Sequence, residues 1–226
     1  MTLSKRIFDI ALALLAVGLL AIPGALIAVV LLACQGHPIL YASERMKTPN
    51  EAFHLWKFRT MHLCGADAGV SGGDKISRIT PLGRFLRRYR LDELPQLWNI
   101  LRGDISFVGP RPPLKNYVER FPHLYRRVLA SRPGLTGLAT LVFHAREERL
   151  LAACTTSEET DAVYSRRCIP QKARLDLIYQ AKQSMWLDAV LLARTGIGLT
   201  KKQKFHLPTV HHSRRKLVAQ TASSLS

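Results

Sequence analysis

The sequence predicts a mixed α/β (α+β) fold: a small sheet, several amphipathic helices at a membrane interface, and one proline-broken, re-entrant membrane helix. Three observations predict it. Ile10 to Cys34 contains no charged residue. Short extended stretches alternate with helical patterns in the chain that follows. Lys and Arg number 33 against 16 Asp and Glu, a net charge of +17, and nearly all of the excess follows Cys34.

With 226 residues the chain can form one compact domain with a sizeable core. The 25 uncharged residues would reach roughly 37 Å as a helix, enough to cross a hydrocarbon layer of about 30 Å. Three readings compete for this segment. A cleaved signal peptide has the basic start Lys5-Arg6, but its apolar region is normally shorter. A single span would have to reconcile basic residues on both flanks. A helix that enters and returns on one side satisfies both flanks, and Pro23-Gly24 supplies a break near its middle. The re-entrant reading is preferred, with 1–36 as the membrane helix, 37–200 as the catalytic domain and 201–226 as a flexible basic tail.

Beyond the anchor, His37 to Tyr41 reads as extended and Ala52 to Met61 as a strand. Cys64 to Lys75 is Gly- and Asp-rich and reads as a loop, as does Glu147 to Thr160. Pro81 to Tyr89 reads as a basic-apolar helix suited to a membrane surface. Leu91, Leu94, Leu97, Trp98 and Leu101 recur at helical spacing. Ile105 to Val108 reads as a strand, Asn116 to Leu129 as a helix, Arg132-Pro133-Gly134 as a turn, and Ala173 to Arg194 as a bent helix or helix pair. Four cysteines without metal spacing fit a reducing, cytosol-facing location.

The chemistry concentrates around Asp92-Glu93. Local pattern alone reads Asp92 as a helix cap and Glu93 as complementing the helix dipole. A helix start also attracts phosphate and would keep a carboxylate nucleophile ionised. Glu93 is then a candidate ligand for a divalent cation, Mg2+ or Mn2+. An anionic nucleophile facing an anionic diphosphate requires cations. Lys57, Arg59, Arg87 and Arg111 are the candidates, with Arg111 pre-aimed by the prolines on either side.

The blocks KRIFDI (Lys5 to Ile10), WKFRTM (Trp56 to Met61), ITPLGRFLRRYRLDELPQLWNIL (Ile79 to Leu101), GDISFVGPRPP (Gly103 to Pro113) and RPGLTGLA (Arg132 to Ala139) carry a resemblance. A weaker one lies in PQKARLDLIY (Pro170 to Tyr179). In these blocks the chain resembles the monotopic polyprenyl-phosphate phosphoglycosyl transferases, the bacterial sugar transferases. Ser43, Lys47 and Thr140 depart from the family pattern. The resemblance implies that Asp92 attacks the sugar-bearing phosphate of a UDP-sugar and releases UMP. Undecaprenyl phosphate then takes the phospho-sugar from the enzyme, a first membrane step of surface polysaccharide or glycoconjugate assembly. It implies Glu93 as a Mg2+ ligand and Lys57, Arg59, Arg87 and Arg111 as phosphate contacts. It also implies a helix broken at Pro23 and a site on the cytoplasmic face of a bacterial inner membrane. The N-terminus and the catalytic domain would then share the cytoplasm.

Two other readings stand beside it. One is a non-enzymatic basic module for nucleic acid or anionic lipid, which leaves unexplained why two carboxylates interrupt the most basic stretch. The other is an enzyme that transfers without a covalent step, with Asp92 as metal ligand or general base. The expected partners are a UDP-sugar, undecaprenyl phosphate and anionic lipids. Nucleic acid is not expected, and a homo-oligomer is compatible with the sequence.

Overall fold

The structure, a computed structural model, describes residues 1–63, 70 and 72–200. Most of the expected loop at 64–75, and the expected tail at 201–226, lie outside the described residues. Helix α1 (Leu3–Gln35) starts at a Thr2 cap whose hydroxyl accepts from the Lys5 amide. The expected break at Pro23 does not interrupt the helix: the helical backbone runs on through it. Proline removes one internal hydrogen bond, and the apolar turns on either side keep the helix going.

Strands β1 (Leu40–Thr48) and β2 (Glu51–Phe58) form an antiparallel hairpin. Most of β1 is polar, which hid it from a hydrophobic reading. A lone hairpin is marginal in water. This one packs Phe53 and Leu55 against Leu97, Ile100 and Ile105. Alternation carries the same row on to Lys57.

Helix α2 (Pro81–Arg88) forms as expected behind a Thr80 cap. Helix α3 (Gln96–Arg102) and strand β3 (Ser106–Val108) follow. The single helix expected at 116–129 is two, α4 (Lys115–Arg120) and α5 (Pro122–Val128). Pro122 lacks an N–H and pushes Phe121 out of the helical region. The turn expected at Arg132-Pro133-Gly134 leads into β4 (Gly134–Thr136), which pairs parallel with β3. The small sheet is therefore two separate two-stranded sheets. A methyl on Gly134 would lie 2.1 Å from the Gly109 nitrogen. Only glycine allows the two strand ends to approach that closely.

Helices α6 (Leu138–Ala152) and α7 (Ser157–Val163) replace the loop expected at Glu147 to Thr160. The Ala, Leu, Arg and Glu of that stretch are strong helix formers. A π-helical turn, Tyr164–Cys168, leads into α8 (Ile169–Ala181), and α9 (Met185–Thr200) completes the expected helix pair.

Both ends of α1 dock on this same body. At the start, Lys5 pairs with Asp188 of α9, and Arg6 donates to the Ile100 and Leu101 carbonyls at 2.6 Å. Asp9 accepts from the Phe107 amide. At the far end Leu31 is buried with Phe58 and Leu86. Between these ends, Leu14, Leu15, Leu19, Ile22 and Leu26 face outward. An 18-residue window of α1 has a mean hydropathy of 2.7 with only 6% of it buried, so the helix is long and apolar enough to enter a membrane.

Candidate active site

Helix α2 ends at Tyr89, and Arg90 reverses the chain in the left-handed region, φ 54° and ψ 23°. That conformation is costly for a residue with a Cβ and is found where surrounding structure enforces it. The reversal leads into a short 3-10 turn, Leu91–Glu93, that holds both carboxylates. Here the expected helix start is corrected. Helix α3 begins only at Gln96, behind Pro95, and Asp92 caps nothing. Instead Asp92 is buried on the cleft wall without a hydrogen bond or ion pair among the described residues. Burial raises its pKa, and Lys57 opposes that rise. It is therefore held less firmly ionised than a helix cap would be.

Glu93 is the opposite case. Its Oε1 lies 2.6 Å from Arg111 and 3.2 Å from Lys57, and Oε2 lies 3.7 Å from Arg90. Burial alone would raise its pKa, but Arg111, Lys57 and Arg90 together hold it well below the usual carboxylate range. Burial pulls Lys57 down to about 8, with Glu93 opposing.

Each cation is delivered by its own element. Asn99 of α3 accepts from the Trp56 amide at 3.1 Å and donates to the His54 carbonyl at 2.8 Å. That clamp fixes β2, and with it Lys57, against the carboxylate turn. Arg111 follows β3 in a segment strapped from both sides. The Gly109 amide donates to the Thr136 carbonyl, the Gly134 amide to the Pro110 carbonyl, and the Met46 amide to the Pro113 carbonyl. Arg87 projects from α2, donates to the Thr60 hydroxyl at 2.9 Å, and acts electrostatically on Asp92.

Arg59 departs from its expected role. It borders the cleft, but its guanidinium donates to the Gln35, Gly36 and His37 carbonyls. It closes the C-terminal end of α1, where unpaired carbonyls attract a cation. Arg90 is the missed cation. Its signal was available three residues before Glu93, but no pattern marks a left-handed arginine.

The cleft over these groups has a volume of about 600 Å³. Helix α6 forms one wall with Thr140, His144, Glu147, Glu148 and Leu151, which share a helical face. Helix α8 adds Lys172 and Asp176. No acidic group on this wall was singled out in the sequence: Glu147 and Glu148 lie in the stretch read as a loop, and Asp176 in the expected helix pair.

Among the described residues, no three His, Cys, Asp or Glu converge on a metal position. Mg2+ is nevertheless commonly held by one or two carboxylates plus substrate phosphates. The Oε2 edge of Glu93 fits that sparse set.

The whole described chain matches one family model, the bacterial sugar transferases, over residues 1–202, and the chain belongs to that family. It is similar to the UDP-glucose:undecaprenyl-phosphate glucose-1-phosphate transferase of Caulobacter vibrioides, at 36% identity over 85% of this chain and 68% of that protein. It is also similar to the UDP-N-acetylgalactosamine-undecaprenyl-phosphate N-acetylgalactosaminephosphotransferase of Aeromonas hydrophila, at 31% identity over 84% of this chain. An undecaprenyl-phosphate glucose phosphotransferase of Komagataeibacter xylinus is 30% identical over 85% of this chain. The match spans only 42% of the Aeromonas protein and 35% of the Komagataeibacter protein.

Proposed function

We propose that this protein transfers a sugar-1-phosphate from a UDP-sugar to undecaprenyl phosphate and releases UMP, with Asp92 forming a covalent phospho-sugar intermediate. The observation that carries this reading is the contrast within one acidic pair: Glu93 is surrounded by cations, while Asp92 faces the cleft with no hydrogen bond or ion pair among the described residues. The cluster of Lys57, Arg90 and Arg111 has more positive charge than Glu93 can neutralise, so it is suited to a diphosphate. Asp92 is left free to approach phosphorus. Its carboxylate oxygen bonds to the sugar-bearing phosphorus, and the bond from that phosphorus to the oxygen bridging to UMP breaks. The oxygen of the lipid phosphate then displaces Asp92 and restores it. Mg2+, when bound, would supply further neutralisation of the phosphates, with Glu93 as its protein ligand.

The docking of both α1 ends on one body supports a re-entrant anchor, with the N-terminus and the catalytic domain on the cytoplasmic face of the inner membrane. The exposed apolar middle of α1 would then dip into the bilayer. Anionic headgroups suit the basic surface.

Protein in nanodiscs, given UDP-sugars, Mg2+ and a polyprenyl phosphate, should release UMP, and Asp92→Asn should abolish release. Full activity of Asp92→Asn would exclude Asp92 as nucleophile. A second reading, in which Asp92 acts as general base, is favoured by its raised pKa. Labelled phospho-sugar retained on the protein before lipid is added separates the two, because only the covalent route retains it.

A further inference from the structure

The cleft has two poles of opposite character. Lys57, Arg87, Arg90 and Arg111 gather at one pole around two carboxylates. The other pole is the α6–α8 wall. There Glu147 accepts from Lys172 at 2.8 Å, and Lys172 also donates to the Tyr164 hydroxyl at 3.2 Å. Glu148 lies 3.4 Å from His144. Asp176, one turn beyond Lys172 on α8, is 6% exposed and lines the cleft. It has no hydrogen bond or ion pair among the described residues. A buried carboxylate without a partner is costly, and one that opens on a cleft can be completed by a ligand. The preceding π-helical turn, Tyr164–Cys168, is a backbone irregularity frequent at functional sites.

We propose that this second pole binds the sugar of the donor, with the Asp176 carboxylate accepting hydrogen bonds from sugar hydroxyls and the Glu147–Lys172 pair lining the ring. The inference rests on the transferase reading above. Three arguments favour the sugar over the rest of the donor. The wall is acidic, so it repels phosphates and leaves them to the arginine pole. Carboxylate oxygens accept several O–H donors at once, which suits a polyol. The wall also adjoins the reacting phosphate, since Glu147 acts electrostatically on Arg111 and Glu148 on Arg90. The sugar is bonded directly to that phosphorus, whereas the nucleoside is one phosphate further away. The uracil ring would need an open apolar or aromatic face. Tyr164 offers none, being covered by Lys172 and packed on Tyr117. Tyr41, Met61 and Leu63 offer apolar and aromatic lining elsewhere in the cleft.

Burial pushes Asp176 up to about 7, with Lys172 opposing. The folded protein thus keeps a proton that the unfolded chain releases near pH 4, so stability falls as pH rises from about 4 to about 7. Removing this charge should relieve that loss. At pH 8, Asp176→Asn should melt no lower than the wild type while kcat/KM for the UDP-sugar falls at least tenfold. Inhibition by UMP should stay within twofold. A second measurement is independent of turnover: the UDP-sugar should raise the melting temperature of the wild type more than UDP does, and Asp176→Leu should erase that difference. Unchanged kcat/KM in Asp176→Asn, equal stabilisation of the wild type by UDP and UDP-sugar, or a parallel loss of UMP affinity would each overturn the assignment. Absence of UMP release from the wild type would instead overturn the transferase reading, while the melting comparison still judges the sugar pole.

Discussion

Two buried ionic clusters in this molecule use the same residue types and differ in balance. Lys5 and Asp188 form a one-to-one pair that is almost completely enclosed, with the Tyr179 hydroxyl 2.6 Å from the second Asp188 oxygen. Nothing further is required there, and the pair fastens the start of α1 to α9. The Glu93 cluster sets three cations around one carboxylate and opens on a cleft. Its surplus charge is a cost in the free protein that an anionic ligand would offset. Balance and enclosure mark a structural fastening, whereas imbalance at a cleft wall marks a site.

The largest expected effect would break the site side of this comparison. Arg111→Ala should lower kcat/KM for UMP release by about 10²–10³-fold, as loss of one aimed donor typically does. Its melting temperature should change little, because one cation leaves a cluster that has a surplus. A large drop in melting temperature with normal activity in the folded fraction would make the cluster structural. On the other side, Lys5→Ala should lower unfolding stability in detergent by about 3 kcal/mol, since Asp188 is left buried without its counter-ion. The paired change Lys5→Met with Asp188→Leu should recover most of that loss, and activity per folded molecule should persist.

A pH profile gives a smaller effect. Lys57 sits near a pKa of about 8 because burial penalises its charged form. Its charge is present below that value and lost above it, so kcat/KM should fall roughly tenfold per pH unit beyond about 8. Lys57→Arg should move that limb to higher pH. The smallest effect concerns Arg59. Its Arg59→Lys variant should cost about 1 kcal/mol of stability through weaker closure of α1, with KM for the donor nearly unchanged. A large rise in KM would return Arg59 to the phosphate pole.

Much of the site was legible in sequence because it is carried by short-range patterns. Adjacent Asp92-Glu93 in a basic stretch, and Arg111 between prolines, stand out without any fold. Helix α2 announces itself through Thr80-Pro81, since cap and first turn are local chemistry. What was misread depended on partners distant in sequence. The polar strand β1 carries no hydrophobic signal of its own; it is a strand because β2 pairs with it. Arg59 looked like its neighbour Lys57, yet β2 ends at Phe58: Lys57 points from the strand to Glu93, while Arg59, past the strand end, lies beside the end of α1. The stretch from Glu147 to Thr160 was read as a loop, although the residues it gives to α6 and α7 favour a helix.

The sequence by itself determined the apolar anchor, the basic surface, the acidic pair and the family blocks, because each follows from residue type and spacing along the chain. The tertiary structure decided which cation meets which carboxylate, and that Glu93 is ion-paired while Asp92 has no ion pair among the described residues. It also brought Asp176 to the same cleft. These outcomes depend on burial and on distances between residues far apart in the chain, and electrostatic energies in a desolvated site are set by those distances.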